Sequence, residues 1–329
     1  MNDPFAPVAE IMRKNGIAGD PRAFHAAVNV CFHQFESEVY DDVHQDMWRS
    51  LPAQVELLAN DCLRGGAPER IRMLDIGCGT GLATDLLLRT ALGPRVVEID
   101  LLDTSPAMLA RASARRGEQW KKPGGSTEGL VESVAGKSYE LIITCSVLHH
   151  VPDLASFLGA VSRLQNGIPG ALLLHLQDPN GDYSRDPQRL ERAAQLPREL
   201  PDSIARFKPS RLLGRLMREI KGTQGEDYVS KANRELIRRG VIAKPLRVAD
   251  VYAITDIHVH DTAGVSIETM RGWMPDYELA AHRSYGFFGV LESSLPPDLR
   301  ALEDRSIREG ALNGEYAAAA WRRRSPHPG

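Results

Sequence analysis

The sequence is short of several things, and each shortage narrows its function. Aromatic residues make up 6% of its 329 residues, too few for an evident platform on which RNA bases stack. Its four cysteines, Cys31, Cys62, Cys78 and Cys145, are scattered and include no CxxC pair. That excludes a zinc ribbon and a thioredoxin-like redox pair, and reduced thiols fit better than a disulfide scaffold. No stretch approaches the roughly 18 apolar residues of a membrane span. The opening MNDPFAPVAE lacks a basic run followed by an apolar one, the pattern of a secretory signal. There is no basic excess either, the formal net charge being -3, which disfavours a general nucleic-acid binder. The expectation is a cytoplasmic protein that acts on neither nucleic acid nor membrane, with its oligomeric state open. What is present is ordinary globular composition, 43% hydrophobic and 25% charged, in a length suited to one large domain or two modest ones.

The pattern changes along the chain. Residues 1–66 read as an N-terminal helical segment, or lid. Asp20-Pro21 starts a helix there, an N-cap acceptor followed by proline at the first helical position, and Gly65-Gly66 closes the segment. Residues 67–177 alternate short apolar strands, at 71–75, 96–102, near Trp120, at 139–145 and at 171–176, with helices such as 105–115 and 154–164. Such alternation implies a parallel sheet with helices on both faces. Residues 178–262 break the pattern as a polar helical insertion. One helix is capped by Ser210, another runs over about 227–239 and closes at Gly240. Arg211, Arg215 and Arg218 on the first read as a solvated face rather than as an attractor for an acidic substrate. Residues 263–329 resume the core with a helix at 266–273 and extended stretches at 277–288 and 315–321.

The strongest chemical signal is Leu74-Asp75-Ile76-Gly77-Cys78-Gly79-Thr80-Gly81-Leu82. A strand ends in an acid, three glycines alternate with other residues, and a helix begins. Glycine permits tight backbone geometry and close ligand approach, and the helix start offers unpaired N–H groups. The spacing is G-x-G-x-G, not the G-x-G-x-x-G of dinucleotide binders. The second signal is Asp103, an acid at the end of the next strand, placed to bind both hydroxyls of a ribose. Asp100 competes for that role. Asp103 is preferred because the helix-starting Ser105-Pro106 follows it closely.

These residues resemble a class I S-adenosylmethionine-dependent methyltransferase, of the small-molecule type that includes the ubiquinone/menaquinone methylases. The resemblance is carried by LDIGCGTG at 74–81, IDLLDTSPAML at 99–109, YELIITCSVLHHVPD at 139–153 and GALLLHLQDP at 170–179. It implies an α/β, Rossmann-like, seven-stranded and mostly parallel sheet with an antiparallel last strand; the 178–262 insertion is longer than that fold needs and reads as a helical cap over the substrate, working with the N-terminal helices. It also implies roles. Asp75 would organise the loop and meet the methionine amino group. Gly77, Cys78, Gly79 and Gly81 would line the methionine and ribose. Asp103 would take the ribose hydroxyls, with Thr104 and Met108 beside the adenine. Ser126 or Thr127 would replace the acid that the family often sets against the adenine amine. Cys145 and Ser146 would approach the methionine carboxylate or the methyl.

The acceptor side is read from histidines. His149 and His150 follow a strand. Tyr40 and His44, four apart, share a helix face. Asp256, His258 and His260 share a face if extended. The candidates for a base are His149, His150, His260, Tyr40 and His44, since histidine titrates near neutrality. A divalent metal held by His260 with Asp261, His258 or a histidine from the core is the competing reading. Satisfied structural or base residues are preferred, and no metal ligand is assigned. The expected function is transfer of a methyl group from S-adenosylmethionine, with S-adenosylhomocysteine as product, to O, N or C of a small molecule in a capped pocket. The alternatives are metal-assisted C-methylation of a 2-oxo acid and a non-catalytic S-adenosylmethionine-binding regulator or partner subunit.

Overall fold

The computed structural model describes residues 3–116, 134, 136–197, 227–260 and 264–325, without the side chains of 113–116 and 259–260. Among them is one six-stranded sheet: β1 (Ile71–Ile76), β2 (Val96–Leu102), β3 (Leu141–Cys145), β4 (Leu172–Pro179), β5 (Tyr277–Tyr285) and β6 (Tyr316–Arg323). The order across the sheet is β2-β1-β3-β4-β6-β5. β2, β1, β3 and β4 pair in parallel, while β6 runs antiparallel to both β4 and β5. The order reverses beside β1, which is the first strand and lies inside the sheet; such a switch point is where ligands of open α/β sheets bind. Six strands lie among the described residues, against the seven expected. The stretch near Trp120 lies outside them, as do Ser126, Thr127 and the Arg211–Arg215–Arg218 helix. The stretch expected to stay extended to 288 ends at Tyr285, because Gly286 turns the chain at φ 77°.

Burial on both faces explains the nearly continuous apolar strands. Alternate residues of each strand face opposite ways. Leu74, Ile142, Leu173 and Trp321 meet Phe157, Leu158 and Val161 of a helix at Leu154–Leu164. Met73, Ile143 and Leu174 meet the other side, formed by helices at Gln45–Arg64 and Leu82–Arg89. Each fully buried leucine here contributes roughly 1.5–3 kcal/mol against exposure. A third apolar cluster lies apart from the sheet. The helix α1 (Ala6–Asn15) and α2 (Pro21–Glu36) bring Val8, Phe24, Val28 and Phe32. The helix α3 (Tyr228–Arg238) and α4 (Val248–Thr255) bring Val229, Leu236, Val251 and Ile254 against them. Asp20 caps α2 through the N–H groups of Arg22 and Ala23, with Pro21 at its first position.

This helical layer is fastened to the carboxyl-end loops of the sheet. The Thr80 hydroxyl donates to Asp41 at 2.7 Å. His150 Nδ1 lies 2.7 Å from the Thr255 carbonyl, and His258 Nε2 lies 2.7 Å from that of Val151. Residues Ile257–His260 are a helical turn, not the extended segment expected from their alternation. Ile254 and Ile257, three apart, both enter the third cluster, so helical period overrides the two-residue pattern. Tyr40 and His44 do not share one helix either. A four-residue turn ends at Val43, and His44 sits at φ −109°, ψ 26° before the next helix.

Candidate active site

The site begins where β1 runs out. Gly77, Gly79 and Gly81 all have positive φ, at 68°, 53° and 89°. At Gly77 the need is doubled, since an added Cβ would stand 2.5 Å from a methyl of Val147. The N–H groups of Gly77 and Cys78 both donate to the Leu102 carbonyl, at 2.8 and 3.0 Å, which ties the turn to the end of β2. Gly81 then opens the Leu82–Arg89 helix without a side-chain cap.

Asp103 completes this turn. Its Oδ2 accepts the Gly79 N–H at 2.8 Å, and its Oδ1 accepts the Ser105 N–H at 2.7 Å. A carboxylate has about four acceptor positions, so two remain for a ligand. Burial pushes the Asp103 carboxyl up, against those two N–H groups and the nearby charges of His33 and His150. Asp100 is engaged elsewhere, by the Tyr139 hydroxyl at 2.7 Å and by Lys137. Asp75 is fully buried. Its Oδ2 accepts from the Thr84 hydroxyl at 2.7 Å, while its Oδ1 has no partner. Burial, with Asp103 and Asp85 as neighbours, pushes its carboxyl up to about 7. A cationic group beside it would reverse that shift.

Thr104 is half-buried, and Met108 is buried with its N–H 3.3 Å from the Ser105 hydroxyl. Burial pushes the Cys78 and Cys145 thiols far up, so neither is a ready thiolate. Ser146 and Gln177, just past β3 and within β4, both hold positive φ, 59° and 62°. The Ser146 N–H donates to the Leu176 carbonyl, and the Gln177 N–H to the Tyr285 hydroxyl. Such strain in non-glycine residues concentrates at functional sites.

Four of the five base candidates come together beyond these strand ends. The His149 and His150 rings stand 4.0 Å apart between centroids. His149 Nδ1 donates to buried Asp178 at 2.9 Å. Burial and the His150 charge lower the His149 pKa, more than Asp178 raises it. For His150 burial also works downward, but Asp256, the Thr255 carbonyl and Glu36 outweigh it and the pKa is raised. His33 sets its ring edge-on to His150 at 5.1 Å. Glu36 gathers His33 Nδ1 at 3.0 Å and His44 Nε2 at 3.4 Å; burial raises its carboxyl, yet these two imidazoles hold it low. The Tyr40 ring lies 4.4 Å from that of His44. Of His260 the backbone alone is described, and His258 is engaged by the Val151 carbonyl. Asp178, Glu36 and His33 escaped the sequence reading. The one local hint was Asp178 at the end of an apolar strand.

An acid-ended strand, a three-glycine turn and a second acid returning to that turn form an arrangement suited to a ribose-bearing ligand at the switch point of an α/β sheet. The comparisons make the class specific. Residues 74–166 match the family model described as methyltransferase domain. This segment is thus similar to methyltransferase domains. A ubiquinone biosynthesis O-methyltransferase of Nitrosococcus oceani is 36% identical over 114 residues, covering 34% of this chain and 45% of that protein. Another, of Xanthomonas axonopodis, is 30% identical over 139 residues, covering 40% of this chain and 57% of that protein. This chain thus spans about half of the length of these relatives. Among solved structures, the plantazolicin methyltransferase BpumL in complex with S-adenosylhomocysteine is 10% identical with a TM-score of 0.47, covering 96% of this chain and 100% of that one. No helix among the described residues is long and apolar enough to cross a membrane.

Proposed function

We propose that the protein transfers a methyl group from S-adenosylmethionine to a small-molecule acceptor. The observation that carries this reading is the Asp103 carboxylate bonded back onto the Gly79 N–H of the glycine turn, inside the segment that matches the methyltransferase domain. Asp103 takes the ribose hydroxyls with its free acceptor positions. Asp75, with an unpartnered oxygen, meets the methionine ammonium. The backbone of Gly77, Cys78, Gly79 and Gly81 lines the methionine and ribose, Thr104 and Met108 flank the adenine, and Ser126 or Thr127 meets its edge. Cys145 and Ser146 lie toward the methionine end.

The sulfonium brings an already activated methyl group. The chain has to hold an acceptor in line, exclude water and manage the acceptor's proton. The helical layer over the carboxyl ends of the strands serves as the roof, and it is the proposed cap. His149 and His150 stand on the acceptor side, within electrostatic reach of Asp103 in the case of His150. The relatives named for ubiquinone biosynthesis act as O-methyltransferases, which favours an oxygen acceptor.

The test is transfer of labelled methyl from S-adenosylmethionine into a size-fractionated cell extract. Label is expected in the small-molecule fraction, and mass spectrometry then names the acceptor. Label confined to protein or RNA contradicts the substrate class. Bound S-adenosylmethionine with no label in any fraction would mean a non-catalytic binder.

A further inference from the structure

His149, His150 and Asp256 each offer one donor atom, and these atoms lie within 4.8 Å of one another. Two imidazoles and one carboxylate form a donor set suited to divalent iron, cobalt, manganese or zinc. Both rings are already oriented. His149 Nδ1 is 2.9 Å from Asp178 Oδ1, and His150 Nδ1 is 2.7 Å from the Thr255 carbonyl oxygen. A carbonyl only accepts, so the His150 proton is on Nδ1, and the carboxylate fixes His149 in the same way. Each ring is left with the lone pair of Nε2; Asp256 Oδ1 stands beside Nδ1 of His150 and has to turn from it to share a cation with Nε2. Metal-bound histidines are held in this manner, the second nitrogen donating to a carboxylate or a backbone carbonyl. Bonds of about 2.0–2.2 Å set donor atoms roughly 3–3.5 Å apart, so the three have to draw together to hold a cation.

We infer that His149, His150 and Asp256 form a binding site for one divalent transition-metal cation at the acceptor end of the active site. The pair of histidines comes from the loop after β3 and Asp256 from the end of α4, so the cation bridges the sheet to the helical layer. Three protein ligands leave coordination positions open. An acceptor carrying an oxygen, such as a phenol, an enol or a hydroxy acid, fills them, and the cation lowers the pKa of that oxygen. This last step rests on the proposed methyl transfer; the metal site itself does not. Without a cation, Asp256 Oδ1 and His150 Nδ1 pair with each other at 3.3 Å.

The experiment is titration of the chelator-treated full chain with cobalt(II), read by visible absorption and by calorimetry. One saturable cobalt per chain is expected. Asp256→Asn and His149→Ala are each expected to weaken it by more than the about 10–100-fold typical of losing an outer partner. Asp178→Asn, which leaves every proposed ligand in place, is expected to weaken it by about 10–100-fold. His282→Gln, on β5, is expected to leave it unchanged. Circular dichroism of each variant reports folding. Absence of saturable uptake by the wild type overturns the site, and so does uptake that survives both ligand substitutions. Cobalt binding without methyl transfer defeats the proposed function alone, and methyl transfer without cobalt binding defeats the metal site alone.

Discussion

Asp75 and Asp103 are two buried carboxylates at neighbouring strand ends, and their partners set them apart. Asp103 accepts two backbone N–H groups. Asp75 has one hydroxyl and an unpartnered oxygen, and its pKa stands at about 7. A ligand ammonium binds its ionised form, so binding and deprotonation are linked. S-adenosylmethionine affinity is therefore expected to rise with pH through neutrality, by roughly tenfold between about pH 6 and about pH 8. Calorimetry across that range checks it, and Asp75→Asn is expected to flatten the dependence. A steep rise that persists in the variant would assign the titration to another group.

Among the elements, the strands were the most legible. Leu141–Cys145 and the leucines that open Leu172–Pro179 are apolar and buried on both faces, as in a covered sheet. The glycine turn was legible because three glycines and an acid fall within seven residues. The carboxylates behind the histidines were not. Asp178 is 29 residues from His149, and Asp256 reaches His150 from a separate helix; Glu36 meets His33 three residues away on one helix, but His44 only through the fold. The helical turn at Ile257–His260 was misread because six alternating residues do not separate the two periods. The turn joining β5 to the rest of the core carries a further consequence. Glu303 accepts the N–H groups of Gly286 and Phe287. Beside it Glu315 is buried with one oxygen unpartnered, and burial together with the Glu303 charge pushes its pKa to about 8. The folded state thus holds a proton that the unfolded chain releases near the ordinary 4.5. Stability from this group is full at low pH and is lost as pH rises toward and through about 8. Chemical denaturation is expected to show the loss in the wild type and a smaller one in Glu315→Gln. An equal loss in both would remove Glu315 as its source.

Across the whole molecule, two apolar bodies meet over the carboxyl ends of the strands. One is the sheet with its flanking helices, and the other joins α1 and α2 to α3 and α4. Polar contacts fasten them at the site: Asp41 to Thr80 in the glycine turn, and Thr255 to His150. A ligand that orders the glycine turn should therefore steady the helical layer. Hydrogen exchange is expected to slow in residues 21–44 and 248–258 when S-adenosylmethionine binds. Slowing confined to 74–109 would separate the layer from the cofactor site and leave it a structural support.

The central claim is that the turn after β1, closed by Asp103, holds S-adenosylmethionine. It is tested most directly by calorimetric titration of that ligand into the wild type and into Asp103→Ala. The account predicts one site per chain, weakened at least about tenfold in the variant by loss of charge-assisted hydrogen bonds. An unchanged affinity in Asp103→Ala, or no binding by the wild type, would contradict it.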